Sequence, residues 1–180
     1  WMGELLDSLE KQTFQDFVDG GEIPNMLLSG PPGIGKTTVA KALCNQLGAD
    51  YYVINGSDEG RFLDTVRTNA KNFASTVSLT SESKHKVIII DEADNTTSDV
   101  QLLLRASIEE FSRNCRFIFT CNYKNKIIEP LHSRCSVVDF SVNKKDKPAI
   151  AAQFFSRINH ILEVERIESD KKVIVELINK

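Results

Sequence analysis

Five short hydrophobic segments have the length and continuity expected of buried β-strands. Between them lie segments whose apolar residues recur every three or four positions, which predicts helices at 36–47, at 62–77 and from Thr97 or Ser98 onward. This alternation, with strands that are apolar throughout, predicts an α/β fold: a five-stranded parallel sheet covered by helices on both faces. The predicted strands are 25–29, 51–54, 87–90, 117–120 and 137–140.

Helical periodicity also marks both ends of the chain. Apolar residues at helical spacing between Leu5 and Val18 predict a first helix that stops at Gly20-Gly21. Residues 146–180 show only helical patterns, with a break near 168–170, and are predicted to begin a separate helical unit. In the helix after Ser98, the pattern predicts a buried face formed by Leu102, Leu103, Ala106 and Ile108.

Composition excludes several protein classes. The 180 residues are 41% hydrophobic, which is too apolar for a disordered chain, and no apolar run approaches the roughly 20 residues of a membrane span. We therefore expect a cytoplasmic protein without membrane contact. The net charge of −3 argues against binding nucleic acid by bulk attraction, so any such contact would come from particular basic side chains. Four cysteines without a C-x-x-C pair are expected to be buried thiols rather than zinc ligands.

A glycine-rich loop between the first strand and the second helix predicts a nucleotide site. It matches the pattern G-x-x-x-x-G-K-[ST], whose glycines let backbone N–H groups face phosphate oxygens at a helix N-terminus. Lys36 is expected to reach the β- and γ-phosphates of ATP, and the Thr37 hydroxyl to ligate Mg²⁺. The predicted nucleotide-binding residues are Gly30, Pro31, Pro32, Gly33, Ile34, Gly35, Lys36, Thr37 and Thr38.

Two carboxylates end the third strand. Asp91 and Glu92 follow three isoleucines, at the strand end where ligands of open α/β sheets bind. We expect Asp91 to hold the Mg²⁺ shell and Glu92 to orient or deprotonate the attacking water. The pair favours hydrolysis of ATP over phosphoryl transfer to a second substrate.

The order of these motifs resembles that of AAA+ sliding-clamp-loader ATPases. The motifs that carry the resemblance are the phosphate loop, Asp91-Glu92-Ala93-Asp94, the segment 117–122 and Ser133-Arg134-Cys135. The chain looks most like the large subunit of T4-type bacteriophage clamp loaders and next like replication factor C small subunits. The resemblance implies a P-loop AAA+ ATPase domain at 1–142 and the beginning of a helical lid domain at 143–180.

The family also implies roles for single residues. Asn122 matches a sensor position that helps hold the catalytic water, and Arg134 matches an arginine finger that acts on ATP bound in a neighbouring subunit. Gln101 and Arg105 match positions that connect a DNA-facing surface to the ATP site. From the sequence alone, Asn122 would be interpreted as a turn residue at a strand end, and Arg134, Gln101 and Arg105 as ordinary surface residues.

The implied partners are a sliding clamp, other clamp-loader subunits and primer–template DNA. DNA would be held through its phosphates and not by sequence, at helix N-termini and nearby basic side chains. Residues placed suitably for this are Arg67, Arg61, Thr97 and Ser98.

Three functions stay open at this point. In the first, ATP binding by a clamp-loader subunit opens the clamp and grips DNA, and hydrolysis releases the loaded clamp. The second is another AAA+ DNA-associated motor, such as a helicase loader or a branch-migration ATPase. The third is a non-hydrolysing scaffold subunit, against which the intact Lys36, Thr37, Asp91, Glu92 and Asn122 argue.

Overall fold

Five parallel strands form a single sheet in the computed structural model, which describes residues 8–57, 65–76, 85–140, 147–167 and 174. The spatial order of the strands is β2-β3-β4-β1-β5, and every neighbouring pair is parallel. The predicted five-stranded parallel sheet is thus confirmed. The strands are β1 (Met26–Ser29), β2 (Tyr51–Asn55), β3 (Lys86–Asp91), β4 (Cys115–Cys121) and β5 (Ser136–Asp139).

Six α-helices lie in the described parts of the chain. They are α1 (Ser8–Gly20), α2 (Lys36–Gln46), α3 (Lys71–Ser75), α4 (Ser98–Glu110), α5 (Glu129–His132) and α6 (Lys147–Val164). The sequence did not predict α5 or the 3₁₀ turns Ala93–Asn95 and Lys124–Lys126.

The helix predicted over 62–77 differs from the one observed. Its first residues, 62–64, and its last, 77, lie outside the described part, as do residues 5–7 of the first helix and the break expected near 168–170. A π-helical segment, Thr65–Ala70, precedes α3, and the helix ends at Ser75 because Thr76 is extended, with ψ 143°. Apolar periodicity cannot distinguish π from α turns over so few residues.

Side chains from alternate positions of the central strands enter two hydrophobic clusters. Ile88 and Ile90 of β3 belong to the cluster that includes Leu104 of α4, whereas Val87 and Ile89 belong to the cluster of α1 and α2. Because successive strand residues face opposite sides, the sheet is covered on both faces, as predicted. The edge strands are less buried: Val53 of β2 is 36% exposed and Val137 of β5 is 42% exposed.

The predicted buried face of α4 is partly wrong. Leu102 is 47% exposed and Ala106 is also exposed, while Ile108 is buried and Leu103 is partly buried. Three consecutive leucines fit more than one helical register, so the pattern alone does not fix which one faces the sheet. The buried stripe consists of Val100, Gln101, Leu104, Ser107 and Ile108.

Candidate nucleotide site

The phosphate loop connects the buried end of β1 to the N-terminus of α2. Gly33 and Gly35 adopt the left-handed conformation, with φ 76° and 93°, which side-chain-bearing residues rarely adopt. Gly30 is required for a different reason: a Cβ there would lie 2.7 Å from the Phe140 carbonyl oxygen and 2.8 Å from its Cβ. The loop conformation therefore depends on glycine at these three positions.

Lys36 lies at the centre of the site. Its Nζ donates to the carbonyl oxygens of Gly30 (2.7 Å) and Pro31 (2.8 Å) and to Oδ1 of Asn122 (2.9 Å). The residue is only 7% exposed, and burial lowers the pKa of its ammonium, an effect that nearby carboxylates, including those of Asp94 and Asp91, oppose. All three ammonium protons are thus directed into the loop and onto the end of β4.

The side chains of Thr37 and Asp91 are hydrogen-bonded to each other beside the phosphate loop, although 54 positions separate them in the sequence. Asp91 Oδ1 accepts hydrogen bonds from the hydroxyls of Thr37 and Thr120, both at 2.6 Å. The Thr120 hydroxyl in turn accepts the backbone N–H of Glu92 at 3.0 Å. Oxygen donors of this kind suit a hard cation such as Mg²⁺, so the residues present fit the implied metal.

Glu92 is placed by the backbone and by two side chains that sequence reasoning missed. Its φ of 55° turns the chain at the end of β3, and its carboxylate Oε2 accepts hydrogen bonds from Ser57 Oγ and from Asn95 Nδ2, the latter at 3.2 Å. Asn95 also donates to Ser57 Oγ at 2.9 Å. Ser57 reaches Glu92 because β2 and β3 are neighbours, with Asn55 paired to Asp91. Only the order of the strands could have revealed this contact.

Asp94 is another residue that the sequence analysis did not assign to the site. It is 5% exposed, and its Oδ2 accepts the backbone N–H groups of Asn122 (3.2 Å) and Tyr123 (3.1 Å). The carboxylate therefore connects the turn after β3 to the residue whose side chain meets Lys36.

A cavity of about 270 Å³ lies at the carboxyl ends of the central strands, and several of these residues, among them Lys36, Asp91 and Glu92, line it. Three predicted nucleotide-binding residues are absent from its lining: Gly30 and Pro31, whose carbonyls bind Lys36, and Ile34, which packs against the cluster of α1 and α2. The lining comprises Pro32, Gly33, Gly35, Lys36, Thr37, Thr38, Asp91, Glu92, Thr120, Cys121 and Asn122.

Arg134 is not among the cavity residues. Its guanidinium donates to Glu109 Oε1 from Nε (3.0 Å) and Nη2 (2.7 Å) and to the Pro130 carbonyl oxygen from Nη1 (2.9 Å). The hydrogen bond from Arg134, together with the charge of Arg105, lowers the pKa of Glu109. Within this chain, Arg134 is thus held at the surface by α4.

Gln101 is buried rather than a surface residue, with 1% exposure. Its Nε2 donates to the carbonyl oxygens of Thr96 (3.3 Å) and Lys126 (3.1 Å), and its Oε1 accepts the N–H of Ile128 at 2.8 Å. It joins the start of α4 to the loop after β4. Arg105 is half-buried one turn later and donates to Glu109 at 3.4 Å.

The residues predicted to contact DNA are only partly described. Thr97 is the N-cap of α4, where its hydroxyl accepts the N–H of Val100 at 3.5 Å, and Ser98 is the first residue of that helix. Both are exposed. Arg67 lies in the π-helical segment, but its side chain is outside the described residues, and Arg61 lies outside them altogether.

The four cysteines are free thiols, and three of them are buried. Burial raises the pKa of Cys44, Cys115 and Cys135 to about 12 and that of Cys121 to about 11. Among the described helices, none has the length and apolar character needed to cross a membrane.

Comparison with known proteins places the site in context. Residues 26–142 match the model of the ATPase family associated with various cellular activities (AAA). The replication factor C small subunit of Methanocella arvoryzae is 43% identical over 160 residues, covering 86% of this chain and 47% of that protein. The sliding-clamp-loader large subunit of Escherichia phage RB69 is 42% identical over 180 residues, covering 98% of this chain and 55% of that protein.

The chain thus spans about half the length of the curated relatives it matches. Among solved structures, the RuvB Holliday junction branch migration motor of Thermotoga maritima superposes with a TM-score of 0.62 at 19% identity. The match covers 93% of this chain and 53% of RuvB. At that identity the likeness concerns the fold alone.

Proposed function

The chain belongs to the AAA family of ATPases, and from this premise we propose that it is the ATP-hydrolysing part of a sliding-clamp-loader subunit. One observation carries the proposal: Thr37, Asp91, Glu92 and Asn122 converge around Lys36 in a chain whose relatives include clamp-loader subunits at 42–43% identity. The candidate catalytic groups and the sequence likeness thus occur in the same chain. The branch-migration alternative has only the fold likeness in its favour.

ATP would bind with its phosphates in the loop 30–37. Lys36 already uses its three protons on Gly30, Pro31 and Asn122, so a phosphate oxygen can be bound only by exchanging at least one of these partners. Because Asn122 directly follows β4, a phosphate that displaces its side chain from Lys36 would change the contacts at the end of that strand. The exchange would make the Asn122 side chain sensitive to the presence of the γ-phosphate.

Mg²⁺ would be held by the Thr37 hydroxyl and by Asp91, whose oxygens suit this cation. When bound, it supplies Lewis-acid stabilisation of charge on the phosphate oxygens. Thr120 also donates to Asp91, which fixes the direction of the carboxylate at the end of β3.

Glu92 is the base that orients and deprotonates the attacking water. Its carboxylate oxygen is held by Ser57 and Asn95, and its backbone N–H by Thr120, so the carboxyl group is fixed beside the cavity. Asn122 supplies an amide next to Lys36 to hold the water and the γ-phosphate.

Arg134 would act on ATP in a neighbouring subunit. In this chain its guanidinium is hydrogen-bonded to Glu109 of α4 and does not line the cavity, so it cannot complete its own site as placed here. Delivery to a neighbour's phosphates requires it to leave Glu109. Turnover then depends on assembly with other clamp-loader subunits.

The remaining roles follow from this assembly. ATP binding would open the clamp and grip primer–template DNA through its phosphates, and hydrolysis would release the loaded clamp. Thr97 and Ser98 at the exposed start of α4 would contact the DNA, together with Arg67 and Arg61. Gln101 and Arg105 on the same helix would connect that surface to the ATP site, since Gln101 joins α4 to the loop after β4.

The first test measures ATPase rates of the full-length protein, alone and with its partner subunits, sliding clamp and primed DNA. We expect the rate to rise with clamp and DNA and to fall roughly 10³-fold in Arg134→Ala. Arg113→Ala, which removes an exposed arginine just after α4, is the matched control and should retain the wild-type rate. A rate indifferent to clamp and primer would overturn the clamp-loader assignment and leave an AAA ATPase with another client.

A second test separates hydrolysis from scaffolding. In the full assembly, Glu92→Gln should retain ATP binding and lose turnover by roughly 10²- to 10⁴-fold. Equal and negligible turnover in the wild type and in Glu92→Gln would instead favour a scaffold subunit.

A further inference from the structure

We propose that Asp94 is a positioning residue of the nucleotide site: its carboxylate fixes the backbone at Asn122 and, through the Asn122 side chain, the ammonium of Lys36. The inference deepens the proposed function and rests on it for its kinetic consequence. Its structural part, that Asp94 fixes the backbone of Asn122, can be tested without ATP hydrolysis.

The contacts form a continuous chain from one strand end to the next. Asp94 lies in the 3₁₀ turn directly after β3, and its Oδ2 accepts the N–H groups of Asn122 at 3.2 Å and of Tyr123 at 3.1 Å. Asn122 Oδ1 in turn accepts a hydrogen bond from Lys36 Nζ, with 2.9 Å between the two atoms. Three elements, β3, β4 and the phosphate loop, are linked by three hydrogen bonds.

These two amides need an acceptor because the sheet no longer provides one. The pairing of β4 with β1 ends at Cys121, opposite Ser29, so Asn122 and Tyr123 are the first residues beyond the strand. An ionised carboxylate that accepts two converging N–H groups forms charge-assisted hydrogen bonds, which are about twice as strong as neutral ones. Asp94 thereby extends the order of the sheet to the residue that meets Lys36.

The two oxygens of Asp94 are used unequally. Oδ2 accepts both amides, whereas Oδ1 is buried and has no hydrogen-bond partner among the described residues. A single oxygen therefore performs the positioning, and the amide oxygen of asparagine can replace it. The negative charge of Asp94 also acts on Lys36: it raises the pKa of the ammonium, against the lowering caused by burial. Comparing Asp94→Asn with Asp94→Ala separates the acceptor from the charge.

The experiment uses the full-length protein in its native assembly and six forms: wild type, Asp94→Ala, Asp94→Asn, Asn122→Ala, the double variant of the two alanines, and a control variant. Single-turnover hydrolysis at saturating ATP should slow about 10- to 100-fold in Asp94→Ala, with a smaller change in the ATP dissociation constant. Asp94→Asn should return the rate to within about threefold of wild type, since the acceptor is restored. Asp99→Ala, an exposed carboxylate in the first turn of α4, serves as the matched control.

The double variant decides whether Asp94 acts through Asn122. If it does, Asp94→Ala should cost no more than about twofold in the Asn122→Ala background, because the group it positions is already gone. Full multiplication of the two losses would overturn the proposal, as would an Asp94→Asn rate as low as that of Asp94→Ala.

Hydrogen exchange of the Asn122 and Tyr123 amides tests the positioning directly. We expect exchange about tenfold faster or more in Asp94→Ala, near-wild-type exchange in Asp94→Asn, and no change at Phe119 within β4. Unchanged exchange in Asp94→Ala, or lost protection in a folded Asp94→Asn, would overturn the proposal. If the wild-type assembly hydrolyses no ATP, the proposed function fails, while the exchange data still decide the role of Asp94.

Discussion

Replacing Gln101 tests how much stability a single buried amide contributes to the ATPase domain. The side chain is 1% exposed and makes three hydrogen bonds: to the carbonyl oxygens of Thr96 and Lys126 and from the N–H of Ile128. Leucine has nearly the same volume, so Gln101→Leu removes these bonds with little change in packing. Glutamate preserves the shape and one acceptor, but it places an oxygen where the Nε2 donor was.

The expected magnitude for leucine follows from the three partners. Each bond contributes about 1 kcal/mol net, which gives about 3 kcal/mol for the set. Part of this loss is offset because a buried leucine gains more from removal from water than glutamine does. We therefore expect Gln101→Leu to lower the free energy of unfolding by about 2 kcal/mol.

Glutamate should be the more damaging substitution, although it resembles glutamine more closely. Its second oxygen would face the carbonyl oxygens of Thr96 and Lys126, which lie 3.3 and 3.1 Å from the present nitrogen, with no proton between them when ionised. Burying that charge with only the Ile128 N–H as a donor costs more than losing neutral hydrogen bonds, so we expect a loss above about 3 kcal/mol at pH 7.

Urea unfolding followed by circular dichroism measures both variants. Leu102→Ala is the matched control: it is the next residue on α4 and 47% exposed, so its change should stay within about 1 kcal/mol. An order of stability in which Gln101→Glu equals the wild type, or exceeds Gln101→Leu, would refute the inferred hydrogen-bond directions.

Three further predictions concern the loop, the thiols and the surface ion pair. Gly30→Ala should lower the free energy of unfolding, measured in urea, by about 2–3 kcal/mol, because its Cβ would clash with Phe140. Gly33→Ala has no atom within 4 Å of the added Cβ and should cost only about 1 kcal/mol of backbone strain. Equal losses in the two variants would contradict the close approach of Gly30 to Phe140. Ellman's reagent at pH 8 should label none of the four thiols rapidly in the folded chain and all of them in urea. A pKa of about 12 leaves about one thiolate in ten thousand at Cys44, Cys115 and Cys135, and a pKa of about 11 leaves about one in a thousand at Cys121; a fast native phase would contradict this. A titration followed by carbon-13 NMR should show a lowered pKa for Glu109, so that its ion pair with Arg134 is present at neutral pH and is lost as the pH falls through that pKa. Arg134→Ala should raise the pKa of Glu109. An unchanged titration in this variant would exclude the contact in solution.

The sheet could be predicted from sequence because its strands are short apolar runs whose burial leaves few alternatives. Val87 to Ile90 are four consecutive apolar residues followed by two acids, and all four are fully buried in β3. The face of α4 could not be predicted in the same way, because Leu102, Leu103 and Leu104 satisfy competing registers and a glutamine occupies one buried position.

The site was predictable where a local motif carries the geometry and not where distant strands supply the contacts. The loop 30–37 contains its own information in glycine spacing. By contrast, Ser57 meets Glu92 and Asp94 meets Asn122 only because β2, β3 and β4 are neighbours in the sheet. The sequence order of the strands does not show their spatial order, so these partners were missed.

The position of β1 in the sheet has a consequence for the order of folding during synthesis. The strand that carries the phosphate loop lies between β4 and β5, so its register partners, such as Ile118 and Ser136 for Met26, are made about ninety residues or more later. At about 5–20 residues per second, the synthesis of β4, the first of the two neighbours to be made, follows that of β1 by roughly 5–20 s. These contacts have high contact order, and the strand must be inserted between two late partners rather than extended from an early one. Until then, the apolar residues of β1 lack the two strands that pair with it in the finished sheet.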